Sequence, residues 1–204
     1  MNKRQVTAIV TPPVVTASMY PVFQVLGGAF AVDKIGWYLG LVIYWILWGA
    51  VFPLVIIGRE DIMALIRPQK PNKRLLLLVA IPLLGASIVR FMPGMGYEKE
   101  SAWIFLLLLS TPFGNGFFEE VLWRGVYLKL FPNSVFYRMI WPSVWFGIWH
   151  YAPGSVSHGT VMGLIGLMVG SGAMGLYLSY LTKRTNTLWW SIVAHVMGGL
   201  VMIV

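Results

Sequence analysis

The sequence predicts an all-α integral membrane protein, a bundle of about seven transmembrane helices (six to eight), and three observations predict it. The chain is 58% hydrophobic and only 11% charged, with a mean hydropathy of +0.75. Its apolar residues gather into runs of about twenty, the length a helix needs to cross a bilayer. Its basic residues collect in alternate loops between those runs. A soluble domain of 204 residues needs more polar surface than this. Seven spans use about 140 residues, which leaves short loops, so residues 1–204 read as a single polytopic membrane domain.

The first span is placed at 8–30 and contains Pro12, Pro13 and Pro21. The second covers 36–57, and the third covers 75–92, starting in the Leu75–Leu78 run. The fourth runs over 102–130. At about 1.5 Å per residue it reaches roughly 44 Å, too long for one upright helix, and Pro112, Gly114 and Gly116 predict a break or kink. The fifth covers 137–152. The sixth covers 159–181 and is rich in glycine, which permits close helix contact, and the seventh covers 186–204. No repeat or low-complexity segment is present. The basic start Met1–Arg4 is not followed by a clear cleavage site, so no cleavable signal peptide is expected.

Lys and Arg set the orientation. Lys3, Arg4, Arg59, Arg67, Lys70, Lys73, Arg74, Lys129, Arg138, Lys183 and Arg184 fall on one side, against Lys34 and Lys99 on the other; Arg90 and Arg124 lie inside spans. This bias predicts a cytoplasmic N-terminus and an outer C-terminus. It also accounts for the net charge of +8 without a nucleic-acid partner. The chain has no cysteine, which excludes disulfides and a thiolate nucleophile.

Of the seven acidic residues, Asp33, Glu60, Asp61, Glu98 and Glu100 fall in loops. Glu119 and Glu120 sit inside the fourth span, where an ionisable group costs several kcal/mol unless paired or hydrated, and is therefore a functional candidate. Glu120 and Arg124 are i and i+4 on one helix face, and arginine can grip a carboxylate with two hydrogen bonds. Glu119 points about 100° away without a local cation, which makes it the candidate general base and Glu120–Arg124 the scaffold. A purely structural ion network is the plainer alternative.

Three histidines add to this set. His158 lies in a predicted outer loop and carries no role. His150 is in the fifth span and His195 in the seventh. Counted from the nearest basic loop residue, Glu120, His150 and His195 lie about 14, 18 and 16 Å deep. Three spans thus bring titratable groups to one level, as groups converging on one cavity would be. Such a set can activate water through a glutamate and a neutral imidazole. Alternatively, both histidines and one glutamate could hold a metal that acidifies bound water. Attack on a carbonyl also needs a donor for the oxyanion.

No His-Glu-x-x-His motif occurs, and both aspartates are in loops, which removes an intramembrane aspartyl pair. Gly170-Ser171-Gly172 with His195 only loosely suggests a serine dyad, since residue 169 is Val. A proton-coupled carrier would also use buried Glu, Arg and His, but no internal repeat accompanies them.

These residues resemble the CPBP family of intramembrane endopeptidases, the CAAX-protease and bacteriocin-processing group, also called Abi. Glu119, Glu120 and Arg124 match its Glu-Glu-x-x-x-Arg motif, and Phe146 with His150 matches Phe-x-x-x-His. His195 matches the start of the third motif, whose Asn position is occupied by Gly199. The resemblance covers about 100–204. It implies a glutamic or metallo-endopeptidase in which Glu119 and His150 activate water and His195 polarises the scissile carbonyl. Zinc is permitted but not required, and the implied partners are the lipid bilayer and a peptide or prenylated protein substrate arriving from the cytoplasmic side. Gly199 leaves an alternative: a catalytically impaired member acting as a membrane immunity or scaffolding factor.

Overall fold

A chain this apolar has to satisfy its backbone hydrogen bonds internally, because lipid offers none. The computed structural model describes residues 1–30, 33–91, 101–157 and 160–203. Glu98, Lys99, Glu100 and His158, all assigned to loops above, lie outside the described residues. Among the described residues the regular elements are all helical, and they form eight helices. These are α1 (Lys3–Ala29), α2 (33–56), α3 (Arg59–Leu65), α4 (Lys73–Arg90), α5 (102–130), α6 (136–154), α7 (Val161–Thr185) and α8 (Trp189–Ile203). Seven are long and correspond to the seven expected spans. The short α3 was not expected; it turns the chain in the basic loop before α4, after Gly58 at φ +86°. Lys3–Ala29, Lys34–Ile56 and Val161–Thr185 are long and apolar enough to cross a membrane. Their outward faces carry apolar side chains such as Val25, Leu54, Met162 and Val169. This is an all-α membrane protein.

Helix starts follow local chemistry. Asn2 caps α1 in a reciprocal pair with Gln5, Asn72 caps α4, and Thr160 caps α7. Asn186 closes α7 in the left-handed conformation.

The prolines do not break their helices. A helical proline leaves the carbonyl four residues earlier without its N–H partner. Pro12 frees Ala8 O, which accepts from the Tyr127 hydroxyl at 2.7 Å. Pro13 frees Ile9 O, which accepts from Trp141 Nε1 at 3.2 Å. Pro82 frees Leu78 O, which accepts from the Tyr177 hydroxyl at 2.7 Å. Each orphaned carbonyl thus becomes a tie between helices: α1 to α5 and α6, and α4 to α7.

The long α5 also stays continuous. Its irregularity takes the form of two π-helical turns, Asn115–Glu119 and Val121–Gly125, beside a third at Trp45–Val51 in α2. Such widened turns recur at functional sites. Glycine lets α6 and α7 approach closely, since a Cβ on Gly147 would stand 2.6 Å from Met168 O.

The basic loops meet at one end of the bundle. Gln5 Nε2 donates to Leu130 O, Lys129 pairs with Asp61 at 2.7 Å, and Thr187 Oγ1 donates to Leu65 O.

Tyr127→Phe should leave Ala8 O buried without a donor and cost about 1–3 kcal/mol, read as a lower midpoint of thermal unfolding in detergent. Adding Pro12→Ala restores an N–H to that carbonyl and should recover most of the loss.

Candidate active site

The polar cluster is assembled from α5, α6 and α8. Glu119, Glu120 and Arg124 are buried, at 1%, 0% and 2% exposure, in the π-helical part of α5. Arg124 Nη1 stands 3.1 Å from Glu120 Oε1, the pairing the i, i+4 spacing predicted. The same oxygen accepts from His195 Nδ1 at 2.9 Å, so Glu120 ties α5 to α8.

Glu119 is held differently. Its Oε1 accepts from Trp149 Nε1 at 3.2 Å. Its Oε2 faces His195 Nε2 at 3.6 Å, beyond a hydrogen bond, and has no donor among the described residues. Each carboxylate thus keeps one oxygen without a donor among the described residues, but only Glu119 lines the cavity and turns that oxygen toward His195 Nε2.

His150 owes its orientation to a local tightening of α6. Its backbone N–H turns to Gly147 O instead of Phe146 O. The Phe146 carbonyl then accepts from the ring Nδ1–H at 2.7 Å, so Nε2 is the basic nitrogen of the neutral ring. Phe146 sits between the charged parts. Its ring lies under the Arg124 guanidinium at 4.3 Å and meets His150 and His195 edge-on at 4.7 and 6.1 Å. Gly175 on α7 supplies the room, since a Cβ there would stand 3.0 Å from Phe146 and 3.2 Å from Arg124.

Glu119, His150 and His195 line one cavity of about 270 Å³. All three candidate catalytic residues are thus brought together, with Glu120, Arg124 and Phe146 packed behind them. Trp37, Leu41, Leu108, Leu167, Met202 and Ile203 form its apolar wall. These residues lie toward the helix ends opposite the basic loops. On the basic side of the cluster, Val121, Val126, Tyr127 and Leu188 close together. The cavity therefore runs away from the end at which a cytoplasmic substrate was expected. Ser171 does not line it, which leaves the loose serine dyad without a site.

A metal was the alternative use of this set. His195 Nε2 and Glu119 Oε2 face each other, but among the described residues no three His, Asp or Glu side chains are grouped to hold an ion. The side chains as placed do not fit a zinc site.

Four site residues escaped the sequence reading: Trp149, Asn115, Trp45 and Tyr44. Tyr44 stacks on Trp149 at 4.0 Å and accepts from Trp123 Nε1 at 2.7 Å, which braces the indole that holds Glu119. Tryptophans are common in apolar spans, so nothing local marked Trp149; its position just before His150 was the available signal.

A family model described as type II CAAX prenyl endopeptidase Rce1-like matches residues 101–201, the stretch that carries α5 to α8 and every residue of the cluster. No curated protein and no solved structure matches the chain.

Arg124→Met should leave Glu120 as a buried, half-paired charge and cost about 3–5 kcal/mol. The loss is read as reduced thermal stability in detergent, and Glu120→Gln in the same chain should recover part of it.

Proposed function

We propose that this chain, whose residues 101–201 belong to the Rce1-like family of type II CAAX prenyl endopeptidases, hydrolyses a peptide bond of a peptide or lipid-modified protein inside the membrane. The observation that carries the reading is the buried Glu119 oxygen without a donor, in one cavity with His150 and His195. In this reading Glu119 takes a proton from a water placed between it and His150 Nε2. The hydroxide oxygen adds to the scissile carbonyl carbon, the C–N bond breaks, and Glu119 returns the proton to the leaving amine. Trp149 fixes the base, and Glu120 with Arg124 fixes His195. His195, with Nδ1 given to Glu120, presents Nε2 to the reacting side and polarises the carbonyl when protonated. No step is routed through a metal.

The apolar wall suits a hydrophobic or prenylated segment, which reaches the cluster from the end away from the basic loops. With those loops cytoplasmic, the C-terminus is outer. The alternative, a non-enzymatic membrane factor, rests on Gly199.

The test uses purified protein in liposomes with an internally quenched farnesylated peptide ending in a CAAX sequence, and its unprenylated counterpart. The wild type should cleave at least one. Glu119→Ala and His150→Ala should abolish cleavage while elution and helical content stay unchanged; full activity in either variant rejects the assignment. For topology, the chain has no cysteine, so single replacements are unique labels. Phe30→Cys should react with a membrane-impermeant maleimide in intact cells, and Gln69→Cys only after permeabilisation.

A further inference from the structure

Hydrolysis of an amide builds negative charge on the carbonyl oxygen, and a fixed N–H aimed at it is worth about a hundredfold or more in rate. The polar side chains around the cavity can be taken in turn for such a donor. Thr111 gives its hydroxyl to Leu107 O, and Ser157 gives its hydroxyl to Pro153 O. Trp149 donates to Glu119, His150 has given its Nδ1–H to Phe146 O, and His195, its Nδ1 given to Glu120, offers Nε2 alone, so a second donor has to come from elsewhere. Trp37 also lines the cavity and its Nε1 has no acceptor among the described residues, but it lies eight residues before Trp45, about 12 Å along α2 toward the cavity's outer end and away from the level of Glu119. Asn115 remains. It lines the cavity one turn before Glu119.

Its amide is mounted with a known sense. Trp45 Nε1 stands 2.9 Å from Asn115 Oδ1. Indole nitrogen only donates, so the contacted atom is the carbonyl oxygen, and the NH2 group is turned away from Trp45. The indole is itself fixed, stacked on Phe118 at 6.1 Å and edge-on to Tyr38 at 5.9 Å. Gly114 makes room for it, since a Cβ there would stand 2.5 Å from the Trp45 ring.

Position 199 cannot do this job. It lines the same cavity, but a Cβ on Gly199 would stand 2.9 Å from Pro112 Cβ and 3.2 Å from Pro112 Cγ, both in a rigid ring. At this level α5 occupies the volume a side chain on α8 would need, and Asn115 follows Pro112 by three residues on that same helix.

We propose that Asn115 is a catalytic residue whose side-chain N–H donates to the oxygen of the scissile carbonyl, the amide being carried on α5 instead of at position 199 of α8. The inference rests on the hydrolase reading above. The donor stabilises the oxyanion by hydrogen bonding and transfers no proton.

The test measures kcat and KM on the two quenched peptides in liposomes. Asn115→Ala should lower kcat about a hundredfold with KM within about twofold, the mark of a contact made in the transition state. Asn115→Asp keeps the shape and the volume but removes the N–H, and should lose as much. Trp45→Phe frees the amide and should lose less. Thermal unfolding in detergent reports folding separately. A folded Asn115→Asp within about threefold of wild-type kcat overturns the inference. If Glu119→Ala is then still inactive, the hydrolase reading stands without it; a wild type inactive on both peptides overturns that reading itself.

Discussion

The buried pair of Glu120 and Arg124 is the constraint around which this bundle is arranged. Two charges taken out of water in an apolar interior are tolerable only when each has a partner. Glu120 therefore holds Arg124 from its own helix and the imidazole of His195 from α8. Arg124 spreads its charge over the face of Phe146, and α7 offers Gly175 where any side chain would crowd both. Four helices are fixed relative to one another by this one need. The ring of His195 inherits its direction from it, and so does the space in front of Glu119.

The same economy explains how the helices depart from regularity. Pro12, Pro13 and Pro82 each orphan a carbonyl where a neighbouring helix supplies a hydroxyl or an indole N–H. The kink expected in α5 is absorbed as π-helical turns, and they bear Asn115, Glu119 and Arg124. His150 sits where α6 tightens, so the carbonyl released by the backbone orients its ring. In lipid a broken ladder has no water to fall back on. Local irregularity and tertiary contact therefore have to coincide, and the buried polar groups collect where they do.

Much of the site was legible because charge is rare here. In a chain with 11% charged residues, a Glu-Glu pair and an arginine four residues on stand out against the apolar spans. The helical repeat then assigned the ion pair to Glu120 and left Glu119 for chemistry. The common depth of Glu120, His150 and His195 pointed to one level of the bundle, and at that level Glu119, His150 and His195 line one cavity. What stayed hidden was carried by residues that look ordinary in a membrane span: Trp149 behind Glu119, Tyr44 behind Trp149, and Asn115 held by Trp45. Gly199 looked like a lost amide. The closeness of Pro112 shows instead that the backbones of α5 and α8 leave no space for one there.

The amino-acid sequence by itself determined the class of the molecule, the number and approximate limits of its long helices, and the identity of the paired charges. Hydropathy, spacing and the cost of burying charge are properties of single segments, and those suffice for such conclusions. Only the tertiary structure decided which nitrogen of each imidazole faces the cavity, which helix offers the spare amide, and toward which end the cavity runs. Those features depend on how closely neighbouring helices approach and which side chains fill the gap. That distance is set by pairs of residues far apart in the chain, and no single segment records it.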